Sequence, residues 1–273
     1  MKPTPDPDTA AMTRVLLGIV LVGLLAYAAA CVLVYSRQRD LVYYGAATRA
    51  DAATTDFALR RDGGVVLRGW VSNPGRRDVL LFFGGNAEAV QYARDEFEAW
   101  VPGRTGYFVA YRGYGASTGE PSQDAILADA LALHDDVVAR HPGARVALVG
   151  RSLGSGVAAH VAAHRSADRL VLVTPYDSLA AVASHHYPWL PIRWLATERY
   201  DSATALRGYR GDVMVVRAGG DGVIPPASTD RLLDVLPDAH VVAVADAGHD
   251  LPLATPEVSS ALARFLAPAP DAR

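Results

Sequence analysis

The feature that most constrains the fold is a serine held between two glycines, where a short apolar run passes into a stretch of small residues. Residues 144–164 read ARVALVGRSLGSGVAAHVAAH. This is the strand–turn–helix setting of a nucleophile elbow, in which the serine hydroxyl projects above the edge of a sheet. Gly150 and Gly154 leave room for so tight a turn. We therefore predict that Ser152 is a nucleophile; the alternative is a glycine-rich turn with an incidental serine.

The rest of the chain alternates strand-like apolar runs with helical patterns. Apolar residues make up 51% and charged residues 20% of the 273 residues, which excludes wholesale disorder and fits one α/β domain with an appendage. Alternation of this kind predicts a mostly parallel sheet flanked by helices, over residues 37–267. The predicted strands are 65–71, 79–83, 106–110, 145–149, 170–173, 213–217 and 240–244, and the predicted helices are 87–100, 122–140, 153–164, 227–236 and 256–266.

A serine nucleophile needs a base, and His249 is the best placed of the eight histidines. It follows the strand-like run HVVAV in the loop AGHD, at the end of a strand where catalytic groups gather in open α/β sheets. The acid should precede the histidine in the chain, and Asp221 does so after another predicted strand. Its carboxylate would orient the imidazole. The alternative for Asp221 is a turn-forming aspartate.

Two backbone amides are predicted to form an oxyanion hole. One is that of Leu153, directly after the serine, and the other belongs to the loop after an early strand. That loop reads FFGGNAE, and we assign the donor to Asn86, with Ala87 as the neighbouring choice. The alternative is a glycine-rich turn without catalytic duty.

The N-terminal segment predicts a membrane anchor. Residues 15–35 contain no charge, and as a helix they would span roughly 30 Å, the thickness of the hydrocarbon core. A cleaved signal peptide, a buried core helix and lipid modification of Cys31 are the alternatives. Neither flank has a clear excess of positive charge, so the side of the membrane stays open. Residues 1–14 and 268–273 are predicted to be unstructured tails.

Composition limits the partners. The net charge is −3 with arginines scattered, so no basic stripe suggests a nucleic-acid partner. The single cysteine forms no internal disulfide. The adjacent His185 and His186 have no evident third ligand, and we expect no metal and no cofactor.

Many ordered motifs together give the chain a family resemblance. It resembles the membrane-anchored α/β-hydrolases of the ABHD type and their bacterial relatives, related to the serine aminopeptidase-type hydrolase domain. In those relatives the oxyanion loop often reads His-Gly-Asn, whereas here Gly84 stands in place of the histidine. The matching stretches are RQRDLVYYG (37–45), FFGGNAE (82–88), YRGYGASTGEPS (111–122), GRSLGSG (150–156), TPYDSL (174–179), YPWLP (187–191), RYDS (199–202), GGDGVIP (219–225) and AGHD (247–250).

The resemblance implies an α/β-hydrolase fold, the same triad and a short cap insertion at residues 177–205. It also implies that residues 111–119 form a structural loop at the floor of the site. Apolar residues of the cap either line an acyl pocket or pack a pair of short helices, and the two interpretations stay open. The pocket candidates are Tyr187, Trp189, Leu190 and Trp194, joined by Ile192 and Leu195.

The expected function is that of a serine hydrolase. It would cleave an ester, thioester or similar acyl bond through an acyl-enzyme, with a small-molecule or lipid-like acyl compound as substrate. An amidase or peptidase with the same residues, and a membrane-tethered scaffold without activity, are the alternatives.

Overall fold

A single mixed sheet organises the molecule. The computed structural model describes residues 7–268, and within them lies an eight-stranded sheet of order β1-β2-β4-β3-β5-β6-β7-β8. The six strands β3 to β8 are mutually parallel. Strand β2 is antiparallel to both of its neighbours, β1 and β4. The strands are β1 Phe57–Arg60, β2 Val66–Ser72, β3 Asp78–Phe83, β4 Arg104–Val109, β5 Val146–Arg151, β6 Arg169–Val173, β7 Asp212–Ala218 and β8 His240–Val244.

Helices follow most of the parallel strands. The helices predicted at 153–164 and 256–266 have the observed bounds, and the other predicted elements overlap observed ones. Strand β1 was not predicted, because four residues of mixed polarity give too short a pattern. The helices are α1 Pro7–Val42, α2 Val90–Trp100, α3 Gln123–Arg140, α4 Leu153–His164, α5 Leu179–His186, α6 Ile192–Leu195, α7 Ser202–Ala205, α8 Pro226–Leu233 and α9 Pro256–Leu266.

The central strands consist mainly of apolar residues because helices cover both faces of the sheet. All six residues of β3 are buried, and Phe82 packs against the rings of Phe97 and Phe108 at 5.4 and 5.3 Å between centroids. Helix α4 meets the sheet through the fully buried Ala158 and Ala159. Small side chains on this helix let its backbone approach β5 closely, which fixes the turn that carries Ser152.

Helix α1 is longer than the predicted anchor at both ends. It begins at Pro7 and ends at Val42, so residues 7–14 are helical rather than an unstructured tail. Leucine and alanine are strong helix formers, and they let the helix extend beyond its uncharged centre. Residues 1–6 and 269–273 of the predicted tails lie outside the described residues.

Among residues 7–268, α1 is the one helix long and apolar enough to cross a membrane by length and composition. The apolar window has a mean hydropathy of 2.7, and none of it is buried against the rest of the protein. A signal sequence has the same properties.

The last turns of α1 join the hydrolase body through one buried carboxylate. Glu198, whose side chain is 3% exposed, accepts hydrogen bonds from the Tyr43 hydroxyl and from the Gln123 amide at 2.6 Å. Arg39 pairs with it at 3.3 Å. Burial raises the pKa of Tyr43, and the neighbouring Tyr200 hydroxyl and Glu198 carboxylate raise it further, so Tyr43 stays a hydrogen-bond donor. This cluster ties the C-terminal end of α1 to the segment between β6 and β7.

Candidate active site

Three polar side chains meet at the carboxyl edge of the sheet. Ser152 follows β5, Asp221 follows β7 and His249 follows β8, and parallel strands bring these loops to one edge. Ser152 Oγ lies 2.8 Å from His249 Nε2. His249 Nδ1 lies 2.9 Å from Asp221 Oδ2 and 3.1 Å from Oδ1. The three residues therefore form one continuous hydrogen-bonded chain.

The turn at Ser152 has the backbone of a nucleophile elbow. Its φ of 49° and ψ of −118° place a non-glycine residue in a sparsely populated region, which stores strain at the serine. A Cβ on Gly154 would lie 2.0 Å from the Phe83 carbonyl oxygen, and one on Gly150 would lie 2.3 Å from the Gly154 oxygen. Neither contact is possible, so both elbow positions require glycine.

The Asp221 carboxylate is held ionised against its burial. Its side chain is 6% exposed, and burial alone would raise its pKa. Hydrogen bonds from His249 and from the Ile224 and Val223 amides, at 2.8 and 2.9 Å to the amides, outweigh that effect and lower the pKa below its usual value. A carboxylate only accepts, so Nδ1 carries the hydrogen and Nε2 presents its lone pair to the Ser152 hydroxyl.

The loop after β3 lies directly against the serine. A Cβ on Gly85 would be 3.5 Å from Ser152 Cβ. Asn86 is anchored by its side chain, because Nδ2 donates to the Val42 oxygen at 2.6 Å and Oδ1 accepts from the Tyr114 hydroxyl at 2.8 Å. The Leu153 amide belongs to the first turn of α4, where amides have no partner within the helix. Of the two residues assigned to the oxyanion hole, Leu153 thus follows Ser152 directly and Asn86 follows the glycine that lies next to Ser152.

The loop at residues 111–119 holds the loop after β3 in place through two tyrosine hydroxyls. The buried Tyr111 hydroxyl donates to the Gly84 oxygen at 2.9 Å, and the Tyr114 hydroxyl reaches Asn86. Burial raises the pKa of Tyr111 well above its usual value, so its hydroxyl remains a donor.

Sequence reasoning missed an ion pair at the rim of the site. Glu88 Oε1 pairs with Arg151 Nη1 at 3.2 Å, and its Oε2 accepts from the Gly85 amide at 2.5 Å. Arg151 also donates to the Leu251 oxygen at 3.1 Å. Both charged residues lie in motifs that the sequence analysis singled out, Glu88 in FFGGNAE and Arg151 in GRSLG. Neither motif, however, indicates that the two side chains form an ion pair.

The four cap residues named as candidates for an acyl pocket differ in their exposure. Tyr187, Trp189 and Trp194 are 52%, 58% and 73% exposed. Leu190 is buried, and it packs with Cys31 and Val34 of α1. Their role in a pocket stays a prediction.

Comparison with known proteins places this arrangement in a family. The sequence model described as serine aminopeptidase, S33, matches residues 74–197. An uncharacterized protein of Mycobacterium tuberculosis is 32% identical over 252 residues, covering 86% of this chain and 89% of that protein. The chain belongs to the α/β-hydrolase family.

Other proteins resemble this α/β-hydrolase over a smaller part of the chain or at lower sequence identity. Lysophosphatidylserine lipase ABHD12 of Danio rerio is 29% identical over 152 residues, which cover 48% of this chain and 40% of the lipase. The esterase Pf2001 of Pyrococcus furiosus superposes with a TM-score of 0.62 at 15% identity, over 77% of this chain and 90% of the esterase. At that identity the superposition establishes the fold alone.

Proposed function

We propose that this protein is a membrane-anchored serine hydrolase that cleaves an ester, thioester or similar acyl bond through a Ser152–His249–Asp221 triad. The observation that carries the proposal is the hydrogen-bonded chain from Ser152 Oγ through both nitrogens of His249 to Asp221, with contacts of 2.8 and 2.9 Å. Separated loops converge in this way when a base must activate a hydroxyl.

In the proposed reaction His249 Nε2 takes the Ser152 proton as Oγ attacks the acyl carbon. The negative charge on the tetrahedral oxygen is stabilised by the Leu153 and Asn86 amides. The imidazolium, stabilised by Asp221, then gives its proton to the leaving group, which departs and leaves an acyl-serine. A water deprotonated by His249 attacks that ester to give a second tetrahedral intermediate. As the bond from the acyl carbon to Oγ breaks, the imidazolium returns its proton to Ser152 Oγ and the acid is released.

A single-chain acyl lipid is the substrate class we favour. The apolar helix α1 would hold the site close to acyl compounds dissolved in a bilayer. The partial similarity to a lysophosphatidylserine lipase points in the same direction.

We further propose that α1 is retained as an anchor rather than removed as a signal peptide. Its residues after the uncharged stretch are part of the folded body, through Arg39, Tyr43 and Glu198. The Val42 oxygen also receives the hydrogen bond that anchors Asn86. Cleavage at the small residues Ala26, Ala28 or Ala30 would place a charged new N-terminus next to Cys31 and Val34, which pack against the apolar residues of the cap.

Hydrolysis by the full-length protein in detergent tests the proposal. Glycerol and lysophospholipid esters of increasing chain length are compared with the matching amides, in wild type, Ser152→Ala and the control Ser259→Ala on α9. We expect ester cleavage that rises with chain length, is retained in Ser259→Ala, and falls by at least about 10³-fold in Ser152→Ala. Faster cleavage of the amides would make the protein an amidase or peptidase, and no turnover of either by folded protein would favour a scaffold.

A further inference from the structure

We propose that the segment at residues 186–194, from the last residue of α5 to the third residue of α6 and here called the cap loop, inserts its aromatic side chains into the nearer leaflet of the same bilayer that α1 crosses. The inference rests on the anchoring role of α1 proposed above. It begins from one contact: the Tyr27 hydroxyl donates to the backbone oxygen of Trp189 at 2.8 Å.

That contact fixes the depth of the cap loop relative to the apolar helix. Tyr27 is eight residues before Tyr35, the end of the uncharged stretch, which corresponds to about 12 Å along a helix. The whole stretch 15–35 corresponds to roughly 30 Å, which is the thickness of the hydrocarbon core. All of it is needed to span the core, so Tyr27 lies inside the bilayer. When residues 15–35 span the membrane, the backbone of Trp189 therefore lies below the level of the helix end that faces the hydrolase body.

Apolar packing holds the cap to α1 over several turns. Leu190, Ala180 and Ile192 form a buried cluster against Cys31 and Val34. Farther along α1, Gln38 accepts from the Thr197 amide at 2.8 Å. The cap thus packs along α1 from residue 27 to residue 38. It cannot leave the bilayer unless this packing breaks.

The exposed side chains of the cap loop have the chemistry of a bilayer leaflet and its interface. Tyr187, Trp189 and Trp194 are all more than half exposed, a placement that costs free energy in water and is favourable within a leaflet. The Arg193 guanidinium stacks over the Trp194 ring, 4.3 Å from its centroid. An aromatic ring with an adjacent cation suits the boundary between acyl chains and phosphates.

The cap loop is joined directly to the triad's acid loop. His186 Nε2 donates to the Val223 oxygen at 2.8 Å, and the Val223 amide in turn donates to Asp221. Val223 is itself half exposed. Val223 therefore exposes an apolar side chain between the cap loop and Asp221, and an acyl lipid would reach Ser152 from the bilayer past it.

Tryptophan fluorescence quenching tests this placement in the full-length protein. The protein is reconstituted in phosphatidylcholine vesicles, with or without phosphatidylcholine brominated near the headgroup end of its acyl chains. The variant Trp100→Phe keeps Trp189 and Trp194, whereas Trp189→Phe/Trp194→Phe keeps Trp100, at the end of α2 on the opposite edge of the sheet. Trp70 is buried and present in both. The same measurement can be made in a Ser152→Ala background, because fluorescence quenching does not depend on catalysis.

We expect several-fold stronger quenching in Trp100→Phe than in the double variant. Equal quenching of the two, in protein that sediments with the vesicles, overturns the proposal. If the double variant fails to fold, the single variant Trp194→Phe, at an exposed position, replaces it. We expect this variant to lose part of the quenching seen in wild type, and unchanged quenching overturns the proposal. Failure to bind vesicles overturns both the anchor and this inference, whereas loss of fluorophosphonate labelling would overturn only the catalytic proposal.

Discussion

Arg151 and Glu88 form an ion pair that connects β5 to the loop after β3, with 3.2 Å between Nη1 and Oε1. The pair is less than one-fifth exposed on both sides. Glu88 holds the Gly85 amide and Arg151 holds the Leu251 oxygen, two residues after His249. Two side chains thus join the three loops whose relative positions the proposed acyl transfer depends on.

Glu88→Gln should slow the chemical step without much change in substrate binding. The amide can still accept from Gly85 but no longer pairs with Arg151, so the oxyanion loop is held less firmly. We expect kcat to fall about tenfold, or ~1.4 kcal/mol in barrier, with KM nearly unchanged. Steady-state kinetics against Arg94→Gln, which removes a more exposed ion pair with Asp95, checks this. A rise in KM with constant kcat would contradict a positioning role.

Asp221→Asn should leave the fold intact and remove most of the activity. An asparagine that donates its NH₂ to Nδ1 would favour the tautomer with hydrogen on Nε2, which cannot accept the serine proton. We expect a loss of about 10³- to 10⁴-fold in kcat, as for other triads. Single-turnover acylation rates measure it, and circular dichroism checks the fold. Activity within a few-fold of wild type would show that Asp221 does not orient His249.

Glu198→Ala should destabilise the junction between α1 and the body. The change leaves the Tyr43 hydroxyl and the Gln123 amide without their acceptor in a buried site. We expect a loss of about 2–3 kcal/mol in the free energy of unfolding. Denaturant titration in detergent measures it, with the exposed Glu120→Ala as the matched control. Equal midpoints for the two variants would mean that the cluster contributes nothing.

Acid should weaken the fold partly through His160. Burial, together with His164 and Arg165, lowers the pKa of His160 from 6.5 to about 4. The unfolded chain therefore binds a proton that the folded chain does not, and stability falls as the pH drops from about 6.5 to about 4. His160→Gln should reduce this loss by about 1 kcal/mol after allowance for its partial exposure. Denaturant midpoints at pH 7.5 and 5 check it against His185→Gln, and identical pH dependence in wild type and His160→Gln would contradict it.

The sequence contained enough information for the fold and for the loops that carry the triad residues. Strands covered on both faces are mainly apolar, and the elbow glycines are required by backbone contacts of 2.0 and 2.3 Å. Once the sheet is known to be parallel, Ser152, Asp221 and His249 must follow strands that end at one edge.

Other features depend on contacts between distant segments that no local pattern encodes. The Glu88–Arg151 pair and the Glu198 cluster each join residues from different loops. Trp189 and Trp194 look equally suited to a pocket or to a surface, and their exposure follows from where α1 packs. The extension of α1 to Pro7 and Val42 reflects helix propagation, which hydropathy alone does not measure.

The most direct measurement of the central claim is the site of a covalent fluorophosphonate adduct. Full-length protein in detergent is treated with the probe, digested and examined by peptide mass spectrometry. We expect one stoichiometric adduct on Ser152, abolished in Ser152→Ala and strongly slowed in His249→Ala. Folded wild-type protein that remains unlabelled, or an adduct that forms on another serine and persists in Ser152→Ala, would contradict the account.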